Sequence, residues 1–117
     1  MDNIKITKGD KMGVFDKIKS KIRGTIDLER LCKEGLIIGE NFHAQEGVII
    51  DPGHCWLIEI GDNVTLAPRV HILAHDASSK NIIGYTRVAN VKIGNNVFLG
   101  ASTIVLPGVK IDDKVIV

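Results

Sequence analysis

Ile58-Glu59-Ile60-Gly61-Asp62-Asn63-Val64-Thr65-Leu66-Ala67-Pro68-Arg69-Val70-His71-Ile72 carries an aliphatic pair, two residues apart, every six residues: Ile58/Ile60, Val64/Leu66 and Val70/Ile72. The pairs resume as Val91/Ile93, Val97/Leu99, Thr103/Val105, Val109/Ile111 and Val115/Val117. A pentapeptide is superimposed on them: Ile38-Gly39-Glu40-Asn41-Phe42, Ile60-Gly61-Asp62-Asn63-Val64 and Ile93-Gly94-Asn95-Asn96-Val97, with a degraded copy at Ile111-Asp112-Asp113-Lys114-Val115. Repetition at a fixed short period outranks local propensity, because each unit buries its apolar face only against its neighbours.

Paired positions point inward, as alternation along a strand requires. A small or polar residue follows each pair, as at Gly39, Gly61, Ala67, Gly94 and Gly100. The asparagine two positions after each pentapeptide glycine suits a corner, since Asn tolerates the left-handed region. Strand, corner, strand, corner predicts a prism with three faces and about eighteen residues per coil. The inward residues then form columns: Ile38, Ile60, Ile93, Ile111; Ala44, Leu66, Leu99, Val117; and Ile50, Ile72, Val105.

Ile38 and Ile60 are 22 residues apart, Ile60 and Ile93 are 33 apart, and Ile93 and Ile111 are 18 apart. The surplus four and fifteen residues follow Ile50 and Ile72, the third strand of their coils. Both segments, 51–57 and 73–90, therefore leave the prism at one corner. Loops on a rigid frame are where binding and catalytic groups concentrate, so that corner is the candidate site.

Bulk properties narrow the field. The chain has 117 residues, about one domain, with a formal charge of +1, which argues against nucleic-acid binding. No run resembles a secretory signal or a spanning helix. Two cysteines, Cys32 and Cys55, are too few for a disulfide framework, and a cytoplasmic location is the expectation. Basic charge gathers at the front, with nine Lys/Arg against five Asp/Glu in residues 1–33. There Val14, Phe15, Ile18 and Ile22 share a helical face; a helix packed on the end of the prism is favoured over membrane-surface contact through residues 11–23. Asp27 is placed to N-cap a second helix reaching Lys33, with Gly35 ending it. Residues 1–34 read as a helical cap and 35–117 as the repeat domain.

The segment Ile93-Gly94-Asn95-Asn96-Val97-Phe98-Leu99-Gly100, with Val105-Leu106-Pro107-Gly108-Val109 after it, resembles the hexapeptide-repeat O-acetyltransferases of the galactoside, maltose and capsule type. The resemblance covers about residues 36–117. It implies an all-β solenoid, a left-handed parallel β-helix of about three and a half coils, against the usual right-handed crossover preference. It also implies an acetyl-CoA-dependent O-acetyltransferase acting on a sugar or glycan hydroxyl, and a homotrimer with sites between subunits. A non-catalytic scaffold is the alternative, since this repeat alone does not dictate a reaction.

His75, in Leu73-Ala74-His75-Asp76-Ala77-Ser78-Ser79, matches the family's catalytic histidine, and imidazole is suited to take the hydroxyl proton. The family's oxyanion-stabilising amide maps to Gly100–Ala101, the acetyl-CoA side of the site. Gln45 and Asp51 align with acceptor-binding positions. Asp76 either orients a neighbour or solvates the loop, Trp56 and Tyr85 offer stacking faces or packing, and Cys55 reads as a small buried group. His43, His54, His71 and His75 raise a rival reading as a zinc hydratase of the β-helical carbonic anhydrase kind, but His71 and His75 are four apart where that family's close pair is five apart. No metal is expected. The family's sequences continue beyond the position of Val117, so the resemblance implies a truncated chain with an incomplete donor site.

Overall fold

A computed structural model describes residues 4–6 and 26–117. The apolar face read at Val14–Ile22 lies outside the described residues. Fourteen of the repeat's inward positions supply most of a single buried cluster that also holds Leu28, Leu31 and Leu36.

Three parallel sheets carry the fold. The first consists of β2 (Ile37–Ile38), β5 (Ile58–Ile60), β10 (Val91–Ile93) and β13 (Lys110–Ile111), hydrogen-bonded in that order. The second consists of β3 (Phe42–Ala44), β6 (Thr65–Leu66) and β11 (Phe98–Leu99), and the third of β4 (Ile49–Ile50), β7 (His71–Ile72) and β12 (Ile104–Val105). The chain visits the sheets in rotation, so each strand pairs with the one that occupied the same place a circuit earlier. This arrangement is compatible with a β-helix.

Registers follow the columns of the repeat: Ile38 pairs with Ile60, Ile60 with Ile93 and Ile93 with Ile111. Ala44 pairs with Leu66 and Leu66 with Leu99, while Ile50 pairs with Ile72 and Ile72 with Val105. A further strand, β1 (Ile4–Ile6), runs antiparallel along β3 where the sequence suggested only helix.

The corner between the first and second sheets shows why the pentapeptide repeats. Asn41, Asn63 and Asn96 take φ of 59°, 55° and 57°, and Lys114 follows at 59° in the degraded copy. Their side chains form a ladder, Asn41 Nδ2 donating to Asn63 Oδ1 at 2.9 Å and Asn63 Nδ2 to Asn96 Oδ1 at 3.1 Å. A second ladder runs beside it: the Glu40, Asp62 and Asn95 amides donate to Asp62, Asn95 and Asp113 Oδ1 at 2.7, 2.7 and 2.6 Å. The coils are so close that a Cβ on Gly61 would stand 2.7 Å from the Gly94 carbonyl oxygen. Only glycine fits there without displacement.

A second column of left-handed residues, Gly47, Arg69 and Ser102, turns the chain between the second and third sheets. Neither Arg69 nor Ser102 has a side chain that announces this conformation. The Arg69 amide donates to the Glu46 carbonyl at 2.9 Å and the Ser102 amide to the Pro68 carbonyl at 2.9 Å, so contacts between coils impose what local preference does not.

The helix Leu28–Lys33 closes one end. Asp27 caps it, accepting from the Arg30 amide at 3.1 Å, and Gly35 leaves it at φ 112°. Leu28 and Leu31 bury the helix against the apolar cluster. Among the described residues no helix is long and apolar enough to cross a membrane.

Candidate functional site

Because Ile50 and Ile72 are partners in one ladder, the segments following them leave adjacent strands of the third sheet. The first segment turns through a short 3₁₀ stretch, Cys55–Leu57, before β5. Cys55 is buried beneath the helix, its Sγ 3.5 Å from the Leu31 carbonyl oxygen. Burial and the nearby Glu34 charge push its thiol up, away from the thiolate a nucleophile needs. The second segment is an ordered excursion rather than an open loop. β8 (His75–Asp76) pairs antiparallel with β9 (Arg87–Val88), and a helical turn, Lys80–Ile83, ends in left-handed Gly84.

Asp51 and His75 meet where the two segments start. Asp51 is fully buried, the one buried charged side chain among the described residues. Its Oδ2 faces His75 Nδ1 at 2.5 Å and accepts from the Ala74 amide at 2.9 Å, while Oδ1 accepts from the Gly53 amide at 3.1 Å. Burial pushes this carboxyl up, but the bonds from His75, Ala74 and Gly53 outweigh it and hold the group below its usual value of 3.8. A carboxylate so placed stays charged and holds its imidazole partner in one orientation. The His75 side chain keeps 37% of its surface exposed, so the far edge of the ring is reachable.

His54, from the first segment, completes the cluster. Its ring centroid lies 4.6 Å from that of His75 and 5.3 Å from that of Trp56. Its Nδ1 is buried without a hydrogen-bond partner, 3.8 Å from Asp51 Oδ1. Asp51, His54 and His75 each offer one ligand-type atom, all within 4.8 Å of one another. His71, by contrast, pairs with Ile49 and Ile104 within the third sheet and stands apart from this group.

Within one chain, Gln45, Gly100 and Ala101 lie away from His75. Gln45 follows β3, and its amide donates to the Leu66 carbonyl; Ala67 bonds Leu99 and Gly100 bonds Val117 in the same way. Gln45 and Gly100–Ala101 therefore share the corner between the second and third sheets, whereas Asp51 and His75 lie beyond the third sheet. The Gly100 amide is engaged by the Val117 carbonyl at 2.9 Å, which leaves Ala101 as the amide of that pair to consider. Asp51, aligned by sequence with an acceptor-binding position, instead turns both oxygens inward. Asp76 shapes the excursion: its Oδ1 accepts from the Ser78 amide at 2.8 Å, and this bond lowers its carboxyl below the ordinary value. The sequence reading counted His54 only among four histidines; the signal that could have found it is its place in the four-residue surplus opposite His75.

No family model matches the chain, and no solved structure does. Two curated proteins are similar to it. A Bacillus subtilis (strain 168) protein named "Putative acetyltransferase YvoF" is 40% identical over 60 residues, covering 51% of this chain and 33% of that protein. Galactoside O-acetyltransferase of Escherichia coli (strain K12) is 35% identical over 86 residues, covering 68% of this chain and 40% of that protein. The chain thus spans a third to two fifths of the length of these relatives. Both of these similar proteins are named as acetyltransferases.

Proposed function

We propose that the chain is the left-handed parallel β-helical part of an acetyl-CoA-dependent O-acetyltransferase acting on a sugar or glycan hydroxyl. The observation that carries this reading is the buried, ionised Asp51 at Nδ1 of the half-exposed His75. The carboxylate takes the ring proton at Nδ1 as its donor, which leaves the lone pair at Nε2. Nε2 then accepts the proton of the acceptor hydroxyl as that oxygen attacks the thioester carbonyl. The new C–O bond makes the carbonyl an oxyanion. Its collapse breaks the C–S bond, and the imidazolium returns the proton to the departing coenzyme A sulfur. Asp51 touches neither substrate; it is a positioning residue that also opposes the transient positive charge.

An oxyanion needs donors in place before it forms, and the Ala101 amide fills that role on this reading. Ala101 and Gln45 lie on a different edge from His75, so the site requires a second copy of the chain. A cyclic homotrimer brings one subunit's Gln45–Ala101 edge to the next subunit's His75 edge. The galactoside relative supports a sugar acceptor, and two free cysteines suit a reducing cytoplasm. A purely structural role does not account for a charged group buried beneath an accessible imidazole, since burying a carboxylate is costly.

The test is acetyl transfer from acetyl-CoA to a panel of sugars. His75→Ala is expected to lower turnover by about 10²- to 10⁴-fold, the range of a general base, in protein of native circular dichroism whose thermal midpoint falls because the buried Asp51 loses its imidazole partner. Full activity in that variant refutes the assignment.

A further inference from the structure

We propose that Asp51, His54 and His75 form a regulatory binding site for zinc or a similar first-row divalent ion, and that the bound ion silences the base. Two imidazoles and one carboxylate are a donor set suited to zinc, which takes three protein ligands and leaves a fourth place for water. The three donor atoms lie within 4.8 Å of one another, and Asp51 presents one oxygen to each ring.

The independent sign of a missing occupant is His54 Nδ1. It is shut off from solvent, lacks a hydrogen-bond partner and sits 3.8 Å from Asp51 Oδ1, too far for a hydrogen bond. A buried polar atom left unpaired is costly, and an ion between the rings and the carboxylate would satisfy it. Access is open, because the side chains of His54 and His75 keep 29% and 37% exposure. The Ala74 and Gly53 amides already orient the carboxylate, supplying the outer bonds on which metal ligands depend.

Binding shifts one proton across the His75 ring. The proton that Nδ1 shares with Asp51 is given up to solvent, Nδ1 donates its lone pair to the metal, and Nε2 takes up a proton from solvent, so the imidazole stays neutral. With Nε2 protonated, no lone pair is left there to accept a hydroxyl proton. The ion therefore competes with the acyl-transfer role. Binding rests on the three ligands alone; inhibition rests on the reading of His75 as the base.

Zinc is titrated into the metal-free full chain against a chromophoric chelator, with cobalt(II) absorption reporting coordination directly. One ion per chain is expected. His54→Ala should weaken affinity by at least the roughly 10- to 100-fold that loss of an outer partner costs, while His71→Ala, outside the cluster, leaves it unchanged. Zinc that stops wild-type acetyl transfer, with a chelator restoring it, should leave the His54→Ala rate unaffected at the same concentration. Absence of stoichiometric binding, or binding that His54→Ala does not weaken in a variant of native circular dichroism, overturns the site. Stoichiometric binding without inhibition overturns the regulatory step. Full acetyl transfer by His75→Ala refutes the reading of His75 as the base, while the cobalt spectrum still decides the metal site.

Discussion

Two edges of the same three-sheet fold treat polar groups in opposite ways. At the corner between the first and second sheets, Asn41, Asn63 and Asn96 repeat one arrangement coil after coil, each side chain bonded to its copy. Beyond the third sheet nothing repeats: one carboxylate is buried and two histidines from different excursions gather around it. The first edge spreads its polar interactions over exposed, mutually satisfied ladders. The second concentrates one costly group where its neighbours compensate it. Stability comes from repetition and chemistry from its interruption.

Asp51→Asn should break the irregular edge most severely. An amide at that position can donate to His75 Nδ1, which moves the ring proton to Nε2 and removes the base; on the order of a 10²-fold or greater loss of turnover is expected, read by acetyl-transfer kinetics. The same variant tests the charge. The folded carboxyl sits below its unfolded value, so its stabilisation is fully present above the ordinary 3.8 and is lost as pH falls through the lower folded value. The thermal midpoints of wild type and Asp51→Asn should therefore differ most near neutrality and converge in acid.

The regular edge should respond in stability rather than rate. Gly61→Ala places a Cβ 2.4 Å from Asn95 Oδ1 and 2.7 Å from the Gly94 carbonyl oxygen. Overpacking of this kind costs about 1–3 kcal/mol, to be measured by denaturant unfolding. Asn63→Ala removes the central link of the amide ladder and leaves a less tolerant residue at φ 55°. A loss of about 1–2 kcal/mol is expected, with acetyl transfer per folded molecule unchanged. A large rate effect from either substitution would erase the distinction between the two edges.

The regular edge was legible in the chain itself. Pairs every six residues specify which side chains face inward, and a one-residue slip would expose all of them, so the columns Ile38–Ile60–Ile93 and Ile50–Ile72–Val105 followed from counting. The Asn corners followed from backbone preference. Arg69 and Ser102 did not, because contacts between coils force them into the left-handed region. The common exit of the two surplus segments was also countable. What they do after leaving was not: the β8–β9 ribbon and the inward turn of Asp51 carry no period from which to read direction.

By itself, then, the sequence determined the three-sheet register, the corners and the edge at which an imidazole would emerge, because periodicity dictates side-chain direction wherever strands stack. Only the tertiary structure decided that Asp51 turns its carboxylate beneath His75 and that His54 stands beside both. The Asp51–His75 contact joins residues 24 positions apart through segments outside the repeat. Their geometry is chosen by packing and by the need to satisfy a buried charge, which no spacing records.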